Sequence, residues 1–226
     1  MALVDVPRVL RGARLATIFS VTSRAFSTTT IFWGPLAAAL KSDHHQLGSY
    51  YPHIIDNSSL DERTRYQNLF VWELARHLVA KELVVYPAME DSLHDGGALS
   101  KKSRNQNQKI KVKLHTFQKL KADDPDFLPT FKGLKVDVQK TAADEEERDI
   151  PRLEDQLQGD RSLELSRAFD RTKMLAPTRS HPSASEKPLF GTAAVLLTTP
   201  IDKIADIFRK FPKQDPAQDF LDSEDR

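Results

Sequence analysis

Six polar residues stand where the surrounding sequence pattern calls for hydrophobic side chains. They are His44, His77, Lys81, Asn107, Thr141 and Glu145. His77 and Lys81 are four residues apart, as are Thr141 and Glu145, so each pair shares one face of a helix. A polar group on an apolar face must find a partner inside the fold. These positions are therefore the candidates for a buried functional cluster.

Three kinds of chemistry fit these residue types. His44, His77 and Glu145 form a set of two histidines and one carboxylate, which can bind Fe(II) or a similar divalent ion with open positions. Alternatively, Lys81 neutralises Glu145 in a buried pair without any metal. As a third alternative, Lys81 acts as a nucleophile or cation and His77 as an acid or base. Against all three stands the ordinary interpretation that each residue is a satisfied polar group of the core.

Four long amphipathic helices are predicted to position the cluster. Apolar residues recur at helical spacing over 31–54, from Ser59 to about Pro87, from Ser100 or Ser103 to a break at 123–126, and over 129–157. The stripes are Leu36, Leu40, His44, Leu47 and Tyr51; Phe70, Leu74, His77, Lys81 and Val84; Asn107, Ile110, Leu114 and Phe117; and Leu134, Val138, Thr141 and Glu145. Residues 95–97 are predicted to form a loop. The pattern predicts an all-α, up-down-up-down four-helix bundle with a C-terminal helical extension, and such bundles hold metals in their core.

Composition excludes several classes of site. The 226 residues contain no cysteine, which excludes disulfides, thiolate metal sites and a cysteine nucleophile. The formal net charge of +1 gives no electrostatic case for nucleic acid. No apolar run is long enough for a transmembrane helix.

The two ends of the chain differ from the middle. The first thirty residues are rich in Arg, Ser and Thr and contain a single acid, Asp5, which is typical of an organellar transit peptide. We therefore expect residues 1–26 to direct the protein to mitochondria; without that role the protein would be cytoplasmic. We expect the bundle at 31–160, an extension with helices at 162–174 and 200–211 packing on it at 161–212, and a disordered tail at 213–226.

Several motifs carry a family resemblance. The stretches KSDH at 41–44, WELARH at 72–77, ELVVYP at 82–87 and EEERDIP at 145–151 resemble fungal hemerythrin-like proteins with an HHE cation-binding domain. Residues 105–111, RTKM at 171–174 and PTRSHP at 177–182 add to the likeness, which covers about residues 30–212. The resemblance implies a four-helix bundle with a non-haem di-iron site.

The family pattern implies six ligand positions, of which three are changed here. The pattern has one His on helix one, His-x-x-x-Glu on helix two, one His on helix three, and His-x-x-x-Glu or Asp on helix four. By that pattern His44, His77 and Glu145 are retained ligands. The substituted positions, which are expected to line the cavity, are Lys81, Asn107 and Thr141. Glu82, the acid after Lys81, is not expected to point at the site.

The substitutions argue against an intact di-iron site. An ammonium in place of a bridging carboxylate reverses the local field, and two metal ions at that spacing would repel strongly in a low-dielectric core. We therefore expect at most one iron, in a divergent protein that binds a metal ion or small molecule in its core. The alternatives are an enzyme of small-molecule metabolism and a purely structural bundle. That enzyme would be metal-free with Lys81 and His77 as catalytic groups, or would use a single iron on His44, His77 and Glu145.

Overall fold

The computed structural model describes residues 33–175, and in this part of the chain all regular secondary structure is helical. Between residues 33 and 175, seven α-helices and two π-helical turns follow one another. They are α1 Pro35–Ile55, α2 Leu60–Ala80, a π turn Lys81–Val85, α3 Tyr86–Ser92, α4 Gly96–Phe117, α5 Phe127–Asp144, a second π turn Glu145–Asp149, α6 Ile150–Glu154 and α7 Arg161–Leu175. The four long helices α1, α2, α4 and α5 are joined by short connections, which confirms the predicted all-α bundle.

Every apolar residue on the four predicted stripes is buried, and the stripes fall into two hydrophobic clusters. One cluster is rich in aromatic rings and includes Leu47, Leu74, Leu78, Ile110 and Val138 nearest the polar residues. The other includes Leu40, Ala80, Val84 and Ile150. His44 therefore lies along α1 between a residue of one cluster and a residue of the other, and His77 does the same along α2. The polar residues form a layer between two apolar regions.

The two π turns have the same construction. In each turn the residue before a proline donates its backbone N–H five residues back, from Tyr86 to the Lys81 carbonyl and from Ile150 to the Glu145 carbonyl. Pro87 and Pro151 follow, and proline has no N–H and crowds the preceding turn. The wider turn lets the helix pass the proline. The helical path accordingly continues beyond each π turn, as α3 at Pro87 and as α6 at Pro151.

The start of the third long helix differs from the sequence-based expectation. Residues 95–97 were expected to be a loop and the helix to begin at Ser100 or Ser103, but α4 begins at Gly96. The backbone of Gly96 lies so close to the end of α3 that a Cβ there would be 1.9 Å from the Met89 carbonyl oxygen. Only glycine fits this contact. The glycine that suggested a loop instead permits close packing between two helices.

Helix α7 packs against α1 and α2 and so belongs to the body of the bundle. Its Leu165 and Phe169 are buried in the second hydrophobic cluster. At its start, the hydroxyl of Ser162 accepts the backbone N–H of Leu36 at 3.0 Å, and Glu154 accepts the N–H of Ala37 at 2.8 Å. These contacts satisfy backbone donors at the beginning of α1.

Several sequence-based expectations fall outside the described residues. They are the targeting segment at 1–26, the helix at 200–211 and the tail at 213–226. Within residues 33–175, none of the helices has the length and apolar character needed to cross a membrane.

Candidate metal centre

A buried ion pair joins the two π turns at the centre of the bundle. Lys81 Nζ donates to Glu145 Oε1 at 2.6 Å, and the two side chains are 2% and 4% exposed. Burial by itself would raise the pKa of Glu145, but the charge of Lys81 and the contact with His44 outweigh it and lower the pKa to about 2. Glu145 is therefore a carboxylate at neutral pH, and the sequence prediction that Lys81 could neutralise it agrees with this geometry.

Two histidines complete the cluster from α1 and α2. One ligand atom from each of His44, His77 and Glu145 lies within 4.8 Å of the other two. The two imidazole rings meet edge to face, with centroids 5.0 Å apart. His44 Nε2 is 3.5 Å from Glu145 Oε2, which is buried and has no hydrogen-bond partner among the described residues. The three residues proposed as ligands from the sequence therefore do converge on one point.

Each histidine is oriented by a second carboxylate. His77 Nδ1 donates to Asp43 Oδ2 at 2.9 Å, and His44 Nδ1 donates to Glu146 Oε1 at 2.7 Å. A donating Nδ1–H leaves the lone pair on Nε2, which is the arrangement found in metal-binding histidines. Asp43 precedes His44 in the chain and Glu146 follows Glu145, so the neighbour of one candidate ligand orients another.

The two histidines differ in their protonation. Burial, reinforced by the charge of Lys81, lowers the pKa of His77 to about 4 despite its contact with Asp43. Burial would also lower the pKa of His44, but its contacts with the carboxylates of Glu145 and Glu146 outweigh this effect and raise it. His77 is therefore neutral at physiological pH and ready to act as a ligand, whereas a proton on His44 competes with any bound cation.

Asn107 was expected to line the cavity, but its side chain is bonded elsewhere. It is completely buried, but its amide nitrogen donates to the Leu78 carbonyl and to Glu82 Oε1, each at 3.0 Å. Glu82 also accepts from Lys111 Nζ at 2.6 Å, which forms a second buried ion pair beside the first. Asn107 is thus part of this neighbouring network and is absent from the lining of the central space. As expected, Glu82 does not join the histidine cluster.

The space between the candidate ligands is small. About 10 Å³ lies between side chains that include His44, His77, Lys81, Thr141 and Glu145. That volume holds about one water molecule or one ion. Lys81 is paired, and an organic substrate has no room here. The geometry therefore gives no support to the alternative in which Lys81 and His77 act on an organic molecule.

The sequence of the chain matches a known protein family. The model of the hemerythrin HHE cation-binding domain matches residues 36–153, which is more than half of the chain. The chain belongs to the hemerythrin HHE family. It is also 43% identical over 178 residues to an uncharacterized hemerythrin-like protein of Schizosaccharomyces pombe, an alignment that covers 78% of this chain and 88% of that protein. No solved structure matches the chain.

The donor set of this hemerythrin-like domain does not fit two metal ions. Of the six positions in the family pattern, three retain a ligand, and the Lys81 ammonium contacts one oxygen of the retained carboxylate. A second divalent ion near that ammonium would be strongly repelled in the low-dielectric core. The set does fit one ion, because Glu145 Oε2 is buried, has no hydrogen-bond partner within residues 33–175 and lies beside two histidine rings.

Sequence reasoning missed the residues that support the candidate ligands. Asp43 and Glu146 orient the histidines, and Lys173 of α7 contacts Asp43. Asp43 is part of the KSDH motif at 41–44, but it is off the apolar stripe on which His44 lies. The available signal was a carboxylate beside two of the ligands, Asp43 before His44 and Glu146 after Glu145, since metal-binding histidines usually donate their other N–H to a carboxylate.

Proposed function

We propose that this hemerythrin-like protein binds a single divalent transition-metal ion, with iron as the leading candidate, on His44, His77 and Glu145. Two imidazoles and one carboxylate with open positions suit Fe(II). When bound, such an ion would supply Lewis-acid or redox chemistry at those open positions. The protein would hold it in a dry core between two hydrophobic clusters.

The two carboxylate oxygens of Glu145 have different surroundings, and this difference carries the proposal. Oε1 accepts from Lys81 at 2.6 Å, while Oε2 is buried with no hydrogen-bond partner in the described part of the chain. A buried carboxylate oxygen without a partner is costly. A cation held between Oε2 and the two imidazoles would remove that cost. The described side-chain group nearest to Oε2 is His44 Nε2, and at 3.5 Å it is beyond the usual length of an N–H···O hydrogen bond.

Lys81 accounts for the difference from a two-metal site. Its single positive charge stands where the family pattern has a carboxylate, next to the carboxylate of Glu145. In this proposal the ammonium replaces part of the positive charge that a second ion would have provided. The carboxylates of Asp43 and Glu146, which accept from the two histidines, then face the charge of the one divalent ion, and a second ion is not required.

Metal content of the purified full-length protein tests the proposal. After expression in iron-supplemented medium, we expect about one metal ion per chain in the wild type, as a single three-ligand site requires. The variant His77→Ala should contain almost none, because it loses one of three ligands. The matched control His45→Ala changes an exposed histidine on α1 and should retain the wild-type metal content.

A restoration variant tests the role of the substituted positions. The triple variant Lys81→Glu, Asn107→His, Thr141→His returns the family pattern and should raise the content towards about two ions per chain, the di-iron stoichiometry of such bundles. Metal-free wild type together with a metal-loaded triple variant would contradict the proposal. Equal metal content in the wild type and His77→Ala would contradict the ligand assignment.

A further inference from the structure

Helix α7 reaches the candidate metal centre through a chain of two contacts. Lys173 Nζ donates to Asp43 Oδ1 at 2.5 Å, and Asp43 Oδ2 accepts from His77 Nδ1 at 2.9 Å. The side chains of Lys173 and Asp43 are only 13% and 11% exposed. This pair is therefore shielded from water, unlike a surface salt bridge, whose contribution is usually small.

The rest of α7 is fixed so that Lys173 can make this contact. Phe169, one turn earlier, is fully buried and meets the His77 ring edge to face at 5.8 Å between centroids. Ser162, at the other end of α7, binds the start of α1 through the Leu36 N–H. The helix thus covers one side of His77 with an aromatic ring and holds the orienting carboxylate with an ammonium.

We propose that Lys173 is a positioning residue of the metal centre, which holds Asp43 against His77 and so fixes the orientation of this ligand. The inference rests on the proposed function, since it concerns the same ion. Helix α7 lies outside residues 36–153, the part of the chain that matches the family model. The affinity of the centre would then depend on a helix added to the family domain.

The expected sign of the effect separates positioning from simple electrostatics. If only long-range charge mattered, removing or reversing the charge of Lys173 would attract a cation and tighten its binding. If Lys173 positions Asp43, the same change releases the carboxylate from His77 and weakens binding. Loss of such an orienting partner typically reduces metal affinity by about 10- to 100-fold.

The experiment compares four variants of the full-length chain with Co²⁺ as the probe, because its visible absorption reports ligand geometry. Lys173→Met removes the charge, Lys173→Glu reverses it, and Lys173→Arg keeps it. Lys140→Glu, at an exposed position on α5, is the control that changes the net charge equally without touching Asp43. Thermal unfolding of each metal-free protein shows whether it is folded.

We expect Lys173→Met and Lys173→Glu to bind Co²⁺ at least about tenfold more weakly with an altered absorption band. Lys173→Arg and Lys140→Glu should remain near the wild-type affinity. Unchanged or tighter binding by Lys173→Glu would overturn the inference.

A measurement without metal keeps this inference separate from the proposed function. The Nδ1–H proton of His77, assigned by its loss in His77→Gln, should give a downfield NMR signal in the metal-free wild type and in Lys173→Arg. The signal should shift or disappear in Lys173→Met. If the wild type binds no metal but the signal behaves in this way, the proposed function fails and the positioning contact stands. If the wild type binds Co²⁺ and neither the affinity nor the signal responds to Lys173, the proposed function stands and the inference fails.

Discussion

Two arms of the bundle have the same backbone plan and opposite charges. One arm consists of α2, a π turn and α3, and the other consists of α5, a π turn and α6. Each π turn begins at a residue that is buried in the core, Lys81 in the first arm and Glu145 in the second. A proline follows six residues later in each arm, at Pro87 and Pro151.

The two arms retain complementary halves of the family pattern. By that pattern, each arm would offer a histidine and, four residues later, a carboxylate. The first arm keeps His77 and has Lys81 in place of the acid, whereas the second keeps Glu145 and has Thr141 in place of the histidine. Together they still supply one histidine and one carboxylate, and their opposite charges meet at 2.6 Å. The substitution by Lys81 is tolerable in this core because Glu145 of the other arm compensates its charge.

The largest expected effect is on the free energy of unfolding when the charge of Glu145 or of Lys81 is removed, and the two losses should be unequal. Glu145→Gln leaves the buried ammonium of Lys81 without its carboxylate, which should lower the free energy of unfolding by about 3–5 kcal/mol. Lys81→Met should cost less, because His44 remains 3.5 Å from Glu145 and can carry a compensating proton. Urea denaturation of the metal-free proteins measures both changes.

The double variant Lys81→Met, Glu145→Gln serves as the control for this comparison. Removing both charges should recover part of the stability that Glu145→Gln loses, since no uncompensated ion is left in the core. Equal losses of stability in Lys81→Met and Glu145→Gln would show that His44 does not compensate the charge of Glu145.

The next effect is a loss of stability at acid pH, and it depends on His77, the histidine of the first arm. The pKa of His77 is about 4 in the folded protein against an ordinary value of 6.5, so the folded state binds this proton more weakly than the unfolded chain. The stability that His77 contributes is therefore complete above pH 6.5 and is lost as the pH falls towards 4. Between pH 6.5 and 4.5 the metal-free protein should lose on the order of 2 kcal/mol from this group.

Denaturation curves at a series of pH values check this expectation. The contribution of Glu145, whose pKa is lowered to about 2, is lost only below its ordinary value of 4.5 and so follows at lower pH. His44 has a raised pKa, so its contribution is complete below 6.5 and adds no slope in this window. His77→Gln should flatten the curve between pH 6.5 and 4.5. If the stability of His77→Gln fell with pH as steeply as that of the wild type, His77 would not be the source of the acid sensitivity.

The smallest net effect should come from exchanging the charges of the two arms. Lys81→Glu alone places two carboxylates together and should be strongly destabilising. Adding Glu145→Lys restores an ion pair of reversed direction and should bring the free energy of unfolding to within about 1 kcal/mol of the wild type. A double variant as unstable as Lys81→Glu would show that the two π turns are not equivalent in what they can present to the core.

The helical stripes explain how much of the fold could be predicted. Residues three and four apart share a helix face, so the spacing of Leu40, His44 and Leu47 was enough to place His44 in the core. The same argument placed His77, Lys81 and Glu145 inward, and all three are buried. The helix boundaries were less accurate, because Gly96 serves a close helix contact that no local pattern reveals.

The second layer of the site could not be predicted in this way. Asp43 and Glu146 lie next to inward-facing residues and not on the stripes themselves, so periodicity assigned them no role. Lys173 meets Asp43 across 130 positions of the chain, a contact that depends on how α7 packs on α1. Asn107 shared its stripe with the other candidates, but its amide turned to the Leu78 carbonyl and Glu82.

The sequence by itself determined the all-helical bundle and the set of polar residues in its core, because helical periodicity is a local property of the chain. Tertiary structure alone decided which of those residues meet. It brought Lys81 to Glu145, set His44 and His77 ring to ring, and placed α7 over Asp43. The physical reason is that hydrogen bonds and ion pairs act over about 3 Å. Contacts of that range depend on the packing of whole helices, which no local spacing encodes.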